Sequence, residues 1–442
     1  MRRIWTFLHR WVGLATAPFL FLTGVTGAAI SWDHELDDLL NPHLMQAGGG
    51  GTPLPALELA RLVEERHSQV RVTRLPLVAE PGESLAVFVQ PRVSPATGRL
   101  FEPGFNQVFL DPATGEELGK REWGAVWPVT QENFVSFLYK LHFSLHLPEM
   151  RGSDRWGIWL LGIIAAFWTL DCFVALLISF PNPRNWMRSF AVRWRAGGYR
   201  LNFDLHRAGA LWTWALLLIV AFTAFSLGLY REAFLPLMSM VSRVTPSPFD
   251  LRAPTEKHRP IEPKLSFAEV IERANAEARR RGWPEQAGSV FYAERYGVYG
   301  VQFHHPGDDH GAAGVGPARL YYDGQDGRYL GGRQPWKGTA ADLFVQAQFP
   351  LHSGRILGLP GRILISVMGL VVATLSVTGV VIWLRKRRAR RPQRQPSAIV
   401  TSRPRSAAVG ALQLPAACVA GFHSCTASPD ASHAAPRKEN SA

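Results

Sequence analysis

Four stretches of this chain, residues 15–32, 156–180, 211–229 and 361–384, are almost unbroken in apolar side chains. Each runs for about 18 residues or more, roughly the helix length that crosses a hydrocarbon core of ~30 Å. The pattern therefore predicts four transmembrane helices and excludes an ordinary soluble protein. The first stretch has no A-x-A cleavage site and leads directly into Trp32, Asp33 and His34, so it is expected to stay as a helix rather than be removed as a signal peptide. Two long polar segments, 33–155 and 230–360, separate the first helix from the second and the third from the fourth.

Within those polar segments the pattern changes period. Residues 56–67 and 266–281 read as helices, the second with Ser266 as N-cap and Glu269 completing a capping box. Strand-like runs follow at 84–90 and 289–303. Residues 108–119 and 320–331 each read as strand, tight Asp/Gly turn and strand, centred on Asp111 to Gly115 and Asp323 to Gly327. The helices repeat too. Leu8-His9-Arg10 opens the first and Leu205-His206-Arg207 the third, while Leu141-His142 precedes the second and Leu351-His352 the fourth. The chain thus reads as a span–module–span unit written twice at an offset of about 210 residues, which predicts a pseudo-two-fold set of four helices.

The expected organisation is an N-terminus and first helix in 1–32, a first outer module in 33–133, and a His-bearing segment with the second helix in 134–180. A basic loop in 181–204 and a third helix in 205–229 come next. A second outer module in 230–345, a His-bearing segment with the fourth helix in 346–384, and a basic, disordered tail in 385–442 complete it.

Charge orients these spans. Arg2, Arg3 and Arg10 precede the first; Arg184, Arg188, Arg193, Arg195, Arg200 and Arg207 lie between the second and third; Arg385 to Arg391 follow the fourth. All fall on one side of a four-span arrangement, so the positive-inside rule places both termini in the cytoplasm. The formal charge of +13 is accounted for by these flanks and the tail. No aromatic-interleaved basic face supports nucleic-acid binding. Three cysteines, Cys172, Cys418 and Cys425, make no disulfide framework.

Of 14 histidines, four hold equivalent places in the repeat. His9 and His206 open outward-going helices at the cytoplasmic boundary; His142 and His352 precede inward-going helices at the outer boundary. A single histidine at a membrane interface is usually only half-solvated. Two facing imidazoles at one depth can instead clamp a haem iron from both sides, as in membrane cytochromes b. Such a site favours electron transfer, since no coordination position stays open. Arg10, Arg207 and Arg355 stand beside three of these histidines, where they could pair with haem propionates. Gly13, Gly24, Gly27, Gly209, Gly369 and Gly379 would admit a flat macrocycle or a neighbouring helix. His146, one helical turn from His142, is an alternative outer ligand; His142 aligns with His352. The lone acid Asp171 within the second span calls for a polar partner on another helix.

The stretches Leu8-His9-Arg10-Trp11-Val12-Gly13-Leu14 with Leu22-Thr23-Gly24, Asp204-Leu205-His206-Arg207 with Leu211-Trp212, and Pro350-Leu351-His352-Ser353-Gly354 with Gly358-Leu359-Pro360-Gly361-Arg362 resemble the PepSY-associated transmembrane family. The 111–119 hairpin and the 266–331 module look like PepSY domains, so the fold implied is a membrane α-helical one carrying two small α+β PepSY-like extracytoplasmic modules. Members of the family are multi-pass proteins of the bacterial inner membrane, often iron-regulated. Some are similar to reductases that free iron from siderophores in the periplasm with haem b held by membrane histidines. The resemblance implies two haem b groups on His9, His206, His142 and His352, a ferric siderophore or other ferric chelate as acceptor, and a cytoplasmic reductase or quinol as electron donor.

Trp123, Trp127, Phe134 and Trp336 are candidates for lining a chelate pocket, although interfacial aromatics have the same pattern. The run His304-His305-Pro306-Gly307-Asp308-Asp309-His310 is a second candidate metal site, and a solvated turn is its plainer reading. His423 and Cys425 lie close together in the tail. No catalytic nucleophile motif, P-loop or G-x-G-x-x-G is present, so the electron donor is expected to be another molecule. The alternative from a different class is a non-enzymatic membrane protein whose outer modules bind a peptide or protein partner in the periplasm.

Overall fold

The computed structural model describes residues 1–390 apart from Gly49, Gly152 and Asp309. The tail residues His423, Cys418 and Cys425, and Asp309 of the His304–His310 run, lie outside the described residues.

The chain opens with α1 (Arg2–Ile30), which starts well ahead of the apolar stretch, so His9 sits inside a helix and not before one. Two short helices, α2 (Asp33–Leu40) and α3 (Pro42–Met45), lead to α4 (Ala56–Arg66). A four-strand meander follows: β1 (Val70–Pro76), β2 (Leu85–Pro91), β3 (Gln107–Leu110) and β4 (Glu117–Arg121). Then come α5 (Phe134–Ser144) and α6 (Trp156–Ser179). The next group is α7 (Gly198–Trp212), α8 (Trp214–Gly228), α9 (Leu235–Val241), α10 (Pro248–Leu251) and α11 (Phe267–Arg280). A second meander, β5 (Ala287–Ala293), β6 (Val298–Phe303), β7 (Ala318–Asp323) and β8 (Tyr329–Arg333), precedes α12 (Ala340–Ser353) and α13 (Leu359–Ala389).

The two meanders form one eight-stranded antiparallel sheet, ordered β4-β3-β2-β1-β5-β6-β7-β8. The joint is β1 against β5, with Arg74 opposite Phe291, Leu75 opposite Val290 and Pro76 opposite Ser289. One face is covered by α4 and α11. Leu59, Ala60 and Val63 on α4, and Val270, Ala274 and Ala278 on α11, recur at helical spacing and are buried. They meet Val70, Val72, Leu85, Val87, Val290, Val301 and Leu320, so both modules share one hydrophobic core. Burial of each such aliphatic side chain contributes about 1.5–3 kcal/mol. As expected, α11 is opened by the Ser266–Glu269 capping box.

Among the described residues three helices, α1, α6 and α13, are long and apolar enough to cross a membrane. The helices α7 and α8 meet that test together but are bent by 73°. The break is at Thr213, whose φ of −107° and ψ of 8° leave the helical region while its hydroxyl donates to the Gly209 carbonyl at 2.8 Å. Alone, the 15 residues of α8 extend about 22 Å, so a full span there needs part of α7. Arg385, Lys386, Arg387 and Arg388, assigned to the tail from sequence, continue α13 as helix. Lys and Arg are good helix formers, and positive charge at a C-terminus suits the helix dipole. The molecule is thus a membrane protein carrying a folded polar part, in which an ion pair joins α2 to β4. Asp37 takes both terminal nitrogens of Arg121, at 2.8 and 2.7 Å, and both side chains are buried.

Candidate functional site

The structure brings His9 on α1 to His206 on α7, with ring centres 6.3 Å apart and planes inclined by 55°. It brings His142 on α5 to His352 on α12 at 6.2 Å and 51°. With about 2 Å for each metal–imidazole bond and about 1 Å from nitrogen to ring centre, two axial imidazoles on one metal sit roughly 6 Å apart. Both pairs have that spacing.

Each ring is held by its other nitrogen. His142 Nδ1 lies 3.1 Å from Thr26 Oγ1 on α1, His206 Nδ1 lies 3.0 Å from Thr378 Oγ1 on α13, and His352 Nδ1 lies 3.0 Å from Thr223 Oγ1 on α8. Every one of these threonines already gives its only hydroxyl proton to its own helix: Thr26 to Leu22, Thr223 to Ile219 and Thr378 to Thr374, each at 2.8 Å. The oxygen can therefore only accept, and the hydrogen-bond pattern assigns the proton to Nδ1 of all three imidazoles. His9 reaches the same state differently, with Nδ1 at 2.8 Å from Asp171 Oδ2 and 3.1 Å from Oδ1 on α6. For His142, His206 and His352 this leaves Nε2 as the nitrogen through which a neutral imidazole binds a metal, and in all four cases Nδ1 is the nitrogen engaged by an oxygen of another helix.

Space around the rings is made by glycine. A Cβ on Gly27 would stand 2.8 Å from His142 Cε1, and one on Gly379 would stand 3.1 Å from His206 Cε1. A Cβ on Gly13, one turn beyond His9 on α1, would meet nothing within 4 Å, and one on Gly209, one turn beyond His206, would meet only Leu375 at 3.9 Å. Neither position is packed tightly against another helix. Gly24 and Gly369 serve helix packing instead: a Cβ on Gly24 would lie 2.6 Å from the Gly369 carbonyl oxygen.

The arginines divide. Arg10 lies against Phe7 and Trp11, and its buried Nε has no hydrogen-bond partner; Arg207 touches Asp204 at 3.4 Å, and its Nε is likewise buried and unpaired. Arg355 is paired with Asp33 at 3.4 Å. The inner pair thus has two guanidinium groups with donor capacity left over, as an anionic group lying there would require.

His146 does not join the outer pair. The chain turns left-handed at Leu145 and His146, folding the second ring back onto Phe137 at 4.5 Å, with Nε2 at 2.8 Å from the Phe137 carbonyl. Of the His304–His310 run all but Asp309 is described. His304 turns to the His305 carbonyl at 2.9 Å and to Ser289 at 3.4 Å, and among the described residues no group of three His, Cys, Asp or Glu side chains could hold a metal ion. Sequence reasoning left out the threonines, which carry no signal because threonine is common in membrane helices. For Asp171 the signal existed, a lone charge in an apolar span, and the partner is now His9.

The profile of the PepSY-associated TM region matches residues 6–386, a stretch that contains all four histidines, their hydrogen-bond partners and the whole sheet. Among curated proteins none matches the chain. With a match over most of its length, this multi-pass membrane protein belongs to the PepSY-associated transmembrane family.

Proposed function

We propose that the chain is a di-haem b electron-transfer protein of a bacterial inner membrane, passing electrons to a ferric chelate, such as a ferric siderophore, on the periplasmic side. In this reading it has four spans from a duplicated span–module–span unit, with both termini cytoplasmic. The observation that carries it is the set of four imidazoles: two facing pairs about 6 Å apart, every Nδ1 engaged by an oxygen of another helix. The two meanders and the basic flanks on one side of the spans support the rest.

Between these rings haem b would supply one-electron chemistry. His9 and His206 would hold the inner group and His142 and His352 the outer one. Asp171, Thr26, Thr223 and Thr378 fix ring orientation and tautomer. Arg10 and Arg207 offer unpaired N–H groups to carboxylates. Thr26 stands seventeen positions beyond His9 on α1, which separates the two sites by about 25 Å along that helix, close to the thickness of a hydrocarbon core. Reduction is a sensible route to iron release, because hard oxygen ligands hold Fe(III) more tightly than Fe(II). The donor would be a quinol or a cytoplasmic reductase.

The test is a reduced-minus-oxidised absorbance spectrum of the detergent-purified chain with a haem count. Wild type should carry two low-spin b-type haems. His9→Ala and His206→Ala should each lose one and keep the other, as should His142→Ala and His352→Ala for the second. Equal haem content in wild type and all four variants would falsify the reading.

One observation favours the partner-binding alternative: a groove of about 690 Å³ between α4 and α11, lined by residues of both modules that include Arg61, Glu64, Arg71, Tyr292 and Tyr299. If that groove takes a peptide, Arg71→Glu abolishes partner capture and leaves any haem spectrum unchanged.

A further inference from the structure

Arg319 on β7 and Arg333 on β8 are direct partners across the last pair of strands. Like charges held opposite one another in a sheet cost stability. Among the described residues neither forms an ion pair, and the Nε of each is buried without a hydrogen-bond partner. The carboxylates that surround Tyr230 beside Arg333 are already committed. Asp250 pairs with Arg231 at 3.4 Å and accepts from Ser247, and Asp342 accepts from Thr245 and Thr339.

The two guanidinium groups also converge. A Cβ on Gly316 would lie 3.4 Å from Arg319 Nη2 and 3.9 Å from Arg333 Nη2, so both terminal nitrogens flank one bare stretch of backbone. Gly316 holds φ at +90°, a conformation that keeps a side chain out of this gap. Arg333 is aimed by donating to the Val315 carbonyl, and Trp336, whose indole donates to Ala312 at 3.1 Å, closes the same loop. Burial, with Arg319 adding to it, pushes the Arg333 guanidinium below its ordinary pKa, as expected where positive charge lacks a counter-ion.

We propose that Arg319 and Arg333 form an oxyanion-binding site that takes a carboxylate or phosphate group by fork-like hydrogen bonding. The site abuts the loop of Arg355, since a Cβ on Gly314 would meet Arg355 Cβ at 2.5 Å, and Arg355 is three residues past His352. It also faces Tyr230, just beyond the apolar α8. The same chemistry can therefore come from a soluble anion approaching the outer pair or from a lipid phosphate at the membrane surface. The proposal does not depend on haem.

The experiment uses the full chain in detergent. Inorganic phosphate and citrate are titrated calorimetrically, and melting is followed with phosphatidylglycerol or phosphatidylcholine added. Arg319→Gln and Arg333→Gln should each weaken anion binding about tenfold or more. Binding of phosphate or citrate that is lost in the variants identifies a soluble oxyanion. Stabilisation by phosphatidylglycerol alone, again lost in the variants, identifies a lipid phosphate. Ligand responses that are the same in wild type and both variants, including no response in any of them, overturn the proposal. In anion-free buffer Arg319→Gln should melt at or above wild type, because a repulsion has been removed. Melting well below wild type there would mean that the arginine is structural, and would also overturn it.

Discussion

A carboxylate stands behind His9, whereas hydroxyls stand behind His142, His206 and His352. A charged acceptor draws the Nδ1 proton more strongly than a neutral one and makes the imidazole a better donor at Nε2. A haem held by His9 would therefore have its ferric form favoured. Asp171→Asn should raise the midpoint potential of the inner centre and leave the outer one unchanged, which a potentiometric titration of the purified protein resolves. Away from the histidines, Asp37→Ala strands the buried Arg121 guanidinium and should cost about 3–5 kcal/mol, measured as lost unfolding free energy. Glu35 on α2 answers to pH. The Arg362 guanidinium donating to it at 2.7 Å holds its carboxyl below the usual carboxylate range. That stability is complete above the unfolded pKa of about 4.3 and is lost as pH falls through the lower folded value. The pair is half-exposed, so the loss should be under ~1 kcal/mol, seen as a flatter acid-unfolding profile in Glu35→Gln. At this scale the four histidines were legible because the repeat aligned them. The bond from His9 to Asp171 was not, since it joins residues 162 positions apart and no local pattern encodes it.

Helices and strands were legible where one period dominated. The limits of α6 and α11 follow directly from an apolar run in one case and a capping box in the other. The run 289–303, read as one strand, is a hairpin of β5 and β6, because Gly297 takes φ of 63° and turns the chain. The strand β1 escaped notice: Arg71, Thr73 and Arg74 interrupt its apolar positions, yet Val70, Val72 and Leu75 are fully buried. The bend between α7 and α8 was also invisible, because Trp212, Thr213 and Trp214 read as continuous helix. The glycines of α1 and α13 left a macrocycle or a neighbouring helix as alternatives, and at Gly24 and Gly369 it is the neighbouring helix. Gly24→Leu would drive a side chain into the Gly369 backbone and should cost roughly 1–3 kcal/mol, detected as a lower melting temperature in detergent.

Over the whole molecule, the sequence suggested two separate outer modules, and the structure fuses them through β1 and β5 around one core. A shared core cannot melt in halves. Chemical unfolding of the polar part should therefore show a single transition by both fluorescence and circular dichroism, and two resolved transitions would contradict the shared core. The histidine network divides the opposite way. With the chain divided in the 181–204 loop, the partners that orient His9 and His142 lie in the N-terminal half, and those of His206 and His352 in the C-terminal half. Each facing pair nevertheless takes one ring from each half. Half a chain would thus present correctly aimed rings with nothing opposite them. During synthesis both rings of the inner pair exist once His206 is made, but Thr378, which orients His206, comes far later, and the outer pair waits for His352, so neither pair is complete and oriented before most of the chain exists. The same logic makes a cut in the 181–204 loop survivable: two separately expressed fragments that find each other would restore both pairs together, and neither alone would restore one.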